Sequence, residues 1–143
     1  MEADMEKINV EATVENLSII NEMIDRVLEE HDCPVKAQMQ IDIAVEEIFV
    51  NIASYAYAPG QGDATVSIVI ADDPKRAVII FEDSGMPYDP LERPDPDVTL
   101  SVEERQIGGL GIYMVKKSMS DVTYSHTDGK NVLTIVKNFD DEH

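Results

Sequence analysis

The sequence predicts an α+β fold, a two-layer sandwich with about three helices on one face of a mixed, largely antiparallel sheet. Apolar residues recur at helical spacing in two early segments and one late segment, whereas apolar strands come in pairs joined by short turns. The predicted helices and strands are grouped along the chain, unlike the strict alternation of a doubly wound fold. With 143 residues, 43% of them apolar, the chain suffices for the core of a single domain that spans residues 1–143.

Two helices are predicted ahead of the main strands. After a short alternating stretch around Lys7-Ile8-Asn9-Val10, Thr13 is placed to cap the first helix, which ends before Pro34. Its apolar residues at helical spacing are Leu17, Ile20, Ile24, Val27 and Leu28. The second helix is predicted from Val35 to Ala58, and the sequence Pro59-Gly60-Gln61-Gly62 stops it.

The first pair of strands is predicted at Ala64–Ile70 and Ala77–Phe81, which form an antiparallel hairpin through the turn residues at 72–75. Prolines and acidic residues then mark 86–107 as an irregular surface loop. Since a loop of this length in a compact domain is usually a binding loop, a lid or a disordered segment, we interpret it as a Pro-rich lid.

The third helix is predicted at Leu110–Ser118, and it precedes a second hairpin with strands at 121–126 and 131–137. The Asp128-Gly129 pair between these strands suits a type I′ turn, in which both central residues have positive φ. The sequence shows neither an internal repeat nor a linker to a second domain.

Acidic residues dominate the composition, because 29 Asp and Glu against 11 Lys and Arg give a formal net charge of −18. This charge repels a phosphate backbone and disfavours direct binding of nucleic acid. An anionic nucleotide would need a divalent cation to offset the repulsion, which predicts Mg²⁺ dependence. The single cysteine, Cys33, excludes an internal disulfide. An acidic N-terminus and the lack of any apolar run of about 18 residues predict a soluble, cytoplasmic protein without membrane contact.

Glu47 and Asn51 fall on one narrow stripe of the second predicted helix, together with Gln40, Ala44 and Ser54. Because burying a carboxylate and an amide without partners costs on the order of several kcal/mol, the stripe is expected to face water, a ligand or a polar network. In a pocket wall, Glu47 could act as a general base and the Asn51 carboxamide oxygen could bind Mg²⁺. Taken alone, a Glu and an Asn at this spacing are far more often a solvated helix edge.

Two further segments fit the same pocket. Asp83 ends an apolar strand and could accept a hydrogen bond from an exocyclic amine, which would distinguish adenine from guanine. Gly85 lets the backbone come close to a flat ligand. Gly108, Gly109 and Gly111 precede or open a helix and could hold phosphates at its positive end. Alone, Asp-Ser-Gly is more often an ordinary turn, and the glycines fit a flexible loop-to-helix junction.

These three segments, in this order, resemble the N, G1 and G2 boxes of the GHKL superfamily, whose histidine kinases, Hsp90, gyrase and MutL bind ATP in an α/β sandwich. The chain is most similar to the bacterial anti-sigma factor serine/threonine-protein kinases, and the similarity covers nearly its whole length. The resemblance implies the Bergerat-type ATP-binding fold with ATP and Mg²⁺ as cofactors. It also implies a homodimer.

The resemblance assigns a role to each matching residue. Glu47 would be the catalytic general base, Asn51 the Mg²⁺ ligand and Asp83 the adenine acceptor. The residues that would bind the nucleotide are Asn51, Asp83, Gly85, Arg105, Gly109 and Gly111. Arg105 would contact the terminal phosphate or a partner, although arginines in lids are often only solvated. The late-strand Gly-Thr of the family is replaced by Asn131-Val132-Leu133-Thr134, so Thr134 has no assigned role.

The function implied by the resemblance is that of an ATP-dependent serine protein kinase. Such a kinase phosphorylates a small anti-sigma-factor antagonist and otherwise sequesters a sigma factor. The alternative is a non-catalytic module in which ATP orders the lid and switches a protein-binding surface. A third possibility, an ATPase without a protein substrate, would release phosphate steadily. Glu47 separates these functions, because the binding module does not need a general base.

Overall fold

The computed structural model of the chain describes residues 5–57, 60–92 and 109–140. Within them, three α-helices and five β-strands form an α+β sandwich, which confirms the predicted fold class. In chain order the elements are β1 Met5–Glu11, α1 Leu17–Glu30, α2 Val35–Asn51, β2 Asp63–Ala71, β3 Arg76–Asp83, α3 Gly109–Ser118, β4 Asp121–Thr127 and β5 Lys130–Asn138. The strand order is β1-β2-β3-β5-β4, and every pairing between described strands is antiparallel, so this part of the chain contributes no parallel pair.

The core lies between the helices and one face of the sheet. Alternate residues of β3 are buried, and its Phe81 pairs with the buried Val66 of β2. The helices pack against this face with side chains that are at most 2% exposed: Ile20, Ile24 and Leu28 of α1, and Ile41, Val45 and Ile48 of α2. Because each such side chain contributes about 1.5–3 kcal/mol on burial, the packing fixes α2 firmly over the sheet.

The alternating stretch near the start of the chain is the edge strand β1, in which Ile8 pairs with Val66 of β2. On its helix side, Glu6 forms an ion pair with Arg26 of α1, and the Arg26 Nη1 atom donates to Glu6 Oε1 at 3.1 Å. Arg26 also lies 3.5 Å from Glu30 one turn later in α1. The edge strand is therefore tied to the sheet by its backbone and to α1 by a surface ion pair.

Helix α1 begins later than the sequence predicts. A short 3₁₀ turn at Val14–Asn16 precedes Leu17, and the side chain of Thr13 makes no capping hydrogen bond. Asn16 donates its Nδ2 to the backbone oxygen of Glu11 at 2.8 Å. The prediction that Thr13 caps this helix is wrong, because the intervening turn separates Thr13 from the first α-helical residue.

Helix α2 ends at Asn51, before the predicted end at Ala58, which lies outside the described residues. The chain continues into a wider, π-helical turn at Ile52–Ala56. Such turns are rare and frequently occur at functional sites. Asn51 thus stands at the boundary between regular helix and a change of helical pitch.

The second hairpin has the predicted turn, since Asp128 and Gly129 have φ values of 54° and 77°. The first part of the predicted lid is described as far as a 3₁₀ turn at Pro90–Glu92. Arg105 and Gly108 lie outside the described residues. None of the described helices combines the length and apolar character needed to cross a membrane.

Candidate nucleotide-binding site

A pocket opens where the end of α2 meets the ends of β3 and β5 and the first turn of α3. Its lining combines apolar side chains with a few polar ones: Ile48, Asn51, Ile52, Tyr55, Ala56, Phe81, Asp83, Met86, Tyr88, Pro90, Ile112, Tyr124, Asn131 and Leu133. An apolar slot with few polar groups is the usual form of a small-molecule site. Two of the residues singled out from the sequence, Asn51 and Asp83, belong to this lining.

Asp83 is the last residue of β3 and is only 7% exposed. Its Oδ1 atom accepts hydrogen bonds from the Gly85 backbone N–H and from Asn131 Nδ2, both at 2.9 Å. These bonds offset the cost of removing a carboxylate from water. Within the described residues Oδ2 accepts no hydrogen bond, so this oxygen is available to a donor in the pocket.

Asn131 is a site residue that the sequence did not reveal. It begins the helix-facing side of β5, directly opposite Asp83 in the sheet, and is 6% exposed. Besides its bond to Asp83, Nδ2 donates to the Met86 oxygen at 2.9 Å. Its Oδ1 accepts from the Tyr124 hydroxyl and from the Tyr88 N–H at 3.3 Å. The carboxamide therefore connects the Asp83 carboxylate to the chain that enters the predicted lid.

Thr134, left without a role by the sequence, lies on the other side of β5. Asn131, Leu133 and Ile135 are buried toward the helices, whereas Thr134 alternates with them and pairs with Ile80 of β3 and Thr123 of β4. Since successive residues of a strand point to opposite faces, Thr134 faces away from the pocket. The pairing of β5 with β3 therefore identifies Asn131, and not Thr134, as the residue of β5 that contacts Asp83.

The close approach predicted at Gly85 is an approach of two backbone segments. A Cβ atom at Gly85 would overlap the carbonyl group of Ala56, in the π-helical turn after α2. The Met86 N–H donates to that same Ala56 oxygen at 2.9 Å. Gly85 is thus required where the end of α2 meets the segment after Asp83.

Tyr57 makes a second connection between these segments. Its hydroxyl donates to the Asp63 backbone oxygen at 2.6 Å and accepts from the Ser84 N–H at 2.8 Å. The ring packs so closely on Gly62 that a Cβ there would overlap it. Asn51 and Asp83, although from different elements, are therefore held in one rigid arrangement.

Glu47 lies beside the first turn of α3. A Cβ atom at Gly111 would overlap the Glu47 carboxylate as it is placed here, so a larger residue at 111 would displace this side chain. Burial, and secondarily the charge of Glu46, raise the pKa of Glu47. Glu46 itself is exposed. The carboxylate thus lies close to a helix start, where backbone N–H groups lack intrahelical partners.

The structure therefore brings the predicted residues together in two adjoining groups. Asn51 and Asp83 line the pocket. Glu47 contacts Gly111, and its neighbour in the sequence, Ile48, also lines the pocket. Gly109 is the first residue of α3. Among the described residues, no group of three or more His, Cys, Asp or Glu side chains could hold a metal ion by itself.

Together, an antiparallel five-stranded sheet covered by three helices and a pocket bounded by α2, β3 and α3 define an ATPase-type sandwich domain. The family model of the histidine kinase-like ATPase domain matches residues 10–137, and the chain belongs to this family. Membership confirms the resemblance to the GHKL superfamily that the three motifs indicate, and it implies ATP as the ligand at the family level.

Named relatives of the chain are protein kinases. The chain is 26% identical over 100 residues to the serine/threonine-protein kinase BtrW of Bordetella bronchiseptica, covering 70% of each protein. It is 32% identical over 95 residues to the serine-protein kinase RsbW of Bacillus cereus, covering 64% of this chain and 58% of the relative. It thus spans less than two thirds of that relative. These names support a kinase-type role at the family level.

A solved structure with the same fold contains the RsbU and RsbW domains of a Mycobacterium tuberculosis protein. It matches with a TM-score of 0.67 over 94% of this chain and 32% of the other chain. The sequence identity is 17%, so the likeness supports the fold and nothing finer.

Proposed function

We propose that this protein is an ATP-dependent serine kinase of the anti-sigma factor type. The observation that carries the proposal is the position of Glu47, whose carboxylate lies against Gly111 in the first turn of the glycine-led helix α3. A helix start favours anions, so the expected place of the phosphates adjoins a carboxylate that can take a proton. The kinase names of the relatives point to the same class of reaction.

The residues of the pocket suit an adenine nucleotide. Asp83 Oδ2 can accept from the exocyclic amine of adenine, while Asn131 and Gly85 keep Oδ1 in place. Asn51 offers a carboxamide oxygen, a hard ligand suited to Mg²⁺. The described residues hold no acidic metal cage, which agrees with the way Mg²⁺ usually binds through one or two protein oxygens and the phosphates of a nucleotide.

In the proposed reaction, Mg·ATP supplies the γ-phosphoryl group. The serine hydroxyl oxygen of the substrate forms the new P–O bond, the bond between the γ-phosphorus and the bridging oxygen breaks, and ADP leaves. Glu47 takes the proton of the serine hydroxyl. Because its pKa is raised, the carboxylate is a stronger base than an ordinary glutamate. Asp83 and Asn51 contribute by holding the nucleotide.

The proposed substrate is a small anti-sigma-factor antagonist, and the proposed second partner is a sigma factor. Both come from the likeness to anti-sigma kinases, as do the homodimer and the cytoplasmic location. The lid at 86–107, the contact of Arg105 with phosphate or partner, and the single-domain organisation over 1–143 belong to the same proposal. Support from described residues is confined to Glu47, Asn51, Asp83 and the glycines around them.

The proposal is tested with labelled ATP and a purified candidate antagonist domain. We expect phosphoserine on the antagonist with the wild type, and a loss of at least about a hundredfold in rate with Glu47→Gln, at little changed ATP affinity. Glu22→Gln, an exposed carboxylate on α1, is the control. An unchanged rate in Glu47→Gln would remove Glu47 from the mechanism. Partner affinity that responds to ATP without any phosphoserine would instead identify the non-catalytic binding module.

A further inference from the structure

The outer face of α2 carries an apolar stripe that no described residue covers. Val35, Met39 and Ile43 follow one another at one-turn spacing and are 76%, 60% and 61% exposed. They form a line of about 12 Å along the helix. The opposite face of α2 already supplies the core through Ile41, Val45 and Ile48. The stripe is therefore not needed for the fold, and contiguous exposed apolar surface of this kind is typical of an interaction site.

The groove beside this stripe is acidic. Along the junction of α1 and α2 it is lined by Glu29, Asp32, Cys33, Val35, Gln38, Met39 and Asp42, a set that contains three carboxylates and no Lys or Arg. Lys36, the basic residue of α2, is not part of this lining. Arg26 on α1 is already paired with Glu6 and Glu30. A ligand in the groove thus meets apolar side chains together with an excess of carboxylates, with Lys75 near Cys33 as a basic neighbour.

The carboxylates of the groove are crowded. Gln38 Nε2 donates to Asp25 Oδ1 at 3.3 Å and to Glu29 Oε2 at 3.0 Å, so one amide serves two carboxylates. Asp42 lies beside them, and its carboxyl group interacts directly with that of Asp25. An ammonium or guanidinium group placed beside the exposed carboxylates of Glu29 and Asp32 would lower the repulsion.

We propose that the stripe Val35, Met39 and Ile43, with the acidic α1–α2 groove beside it, is a docking surface for a partner protein whose helix presents an apolar ridge flanked by Lys or Arg. Charge complementarity selects this occupant, because the groove is anionic and the stripe apolar. A second copy of this chain, with a formal net charge of −18, would bring more negative charge to the surface. Nucleic acid would add phosphates to it.

The position of the stripe relates it to the nucleotide site. Ile43 precedes Glu47 by one helical turn, about 6 Å of axial rise, whereas Val35 is at the far end of α2. A helix docked along the stripe would extend toward the carboxylate that adjoins Gly111. The docking itself requires no phosphoryl transfer, so it can be tested separately from the proposed kinase activity.

The test is an NMR titration of the isotope-labelled full chain with a synthetic helical peptide that has a leucine ridge flanked by lysines. We expect shift changes concentrated at residues 29–43. In the triple variant V35S/M39S/I43S, affinity is expected to fall about tenfold or more, because three apolar contacts are lost. The matched control M5S/V14S/I19S removes three exposed apolar side chains elsewhere and is expected to keep the wild-type affinity. Thermal unfolding of each variant establishes that the fold is retained.

Three results would overturn the proposal. Equal binding of a peptide with the same composition but a scrambled ridge would mean that charge alone attracts the probe. An equal loss of affinity in both triple variants would mean that the stripe is not the site. Self-association of the wild type that disappears only in V35S/M39S/I43S would make a second copy the occupant. The double variant E29Q/D32N is expected to weaken peptide binding and to reduce its salt dependence.

Discussion

At the scale of single residues, the site depends on how a buried carboxylate is oriented. Asp83 uses one oxygen for internal hydrogen bonds and leaves the other without a donor among the described residues, and Asn131 provides one of the two donors to the first oxygen. A carboxylate with both oxygens free to rotate would bind an amine with less preorganisation. Asn131 also touches the chain on the way to the predicted lid, through Met86 and Tyr88.

We therefore expect Asn131→Ala to lower the affinity for ATP about tenfold and the affinity for inosine triphosphate much less. The reason is that inosine lacks the exocyclic amine from which Asp83 would accept a hydrogen bond. Isothermal titration with both nucleotides measures the ratio. Thr134→Ala, on the same strand but facing the other side of the sheet, is the control and is expected to retain the preference. An equal loss of affinity for both nucleotides in Asn131→Ala would show that Asn131 stabilises the fold and does not orient Asp83.

At the scale of secondary structure elements, the features that the sequence predicts are those determined by residues close to one another in the chain. The helices around Ile24 and Val45 and both hairpins follow from hydrophobic periodicity and turn residues within a few positions of one another. The pairing of β1 with β2 joins Met5 to Val69, so alternation alone could not identify the partner strand. The π-helical turn after Asn51 has no periodic signature either.

The same distinction applies to the candidate site. Glu47 and Asn51 could be found because spacing along one helix reveals which residues share a face, and Asp83 because it ends an apolar strand just before a glycine. Asn131 meets Asp83 only through the register of β3 and β5, which is a nonlocal property. The glycine at 111 looked like part of a phosphate loop, but its contact with the Glu47 carboxylate depends on how α2 packs beside α3.

The packing of α1 against α2 makes stability depend on pH. Burial, a hydrogen bond with Asp25, and the charges of Asp25 and Glu29 raise the pKa of Asp42 to about 7. The folded protein consequently keeps a proton that the unfolded chain releases near the ordinary aspartate pKa of 3.8. The stabilisation from this proton is complete below pH 4 and is lost as pH rises toward and through 7. Gln38, Cys33 and Lys75 are the other polar or charged neighbours in this region.

Asp42→Asn is therefore expected to stabilise the protein at pH 8 by about 1 kcal/mol, since an amide retains a donor for Asp25 without adding charge. The gain is expected to shrink toward pH 4, where the wild-type carboxyl is protonated. Urea unfolding at several pH values measures this difference. Asp72→Asn, in the exposed turn between β2 and β3, is the matched control. A pH-independent gain would mean that the titration of Asp42 is not its cause.

At the scale of the whole molecule, ATP must approach a protein with a formal net charge of −18. In the proposed site, two separate effects would make Mg²⁺ favourable for nucleotide binding. Neutralisation of part of the ATP charge weakens repulsion from the whole surface, and this contribution is screened by salt. The proposed coordination of the ion by Asn51 would act at contact distance and would be screened far less.

These contributions can be separated by measuring ATP affinity with saturating Mg²⁺ and with a chelator, each at two salt concentrations. At roughly 0.05 M and 0.5 M NaCl the Debye length is roughly 14 Å and 4 Å, respectively. We expect the advantage given by Mg²⁺ to decrease at high salt in the wild type without disappearing. In Asn51→Ala the advantage at high salt is expected to be nearly abolished, while the salt-sensitive part remains, because that variant leaves the net charge unchanged. If wild type and Asn51→Ala retain the same Mg²⁺ advantage at high salt, Asn51 does not bind the ion. If salt leaves the advantage unchanged in both proteins, the surface charge does not oppose nucleotide binding, and the acidity of the chain belongs to its protein-binding surfaces.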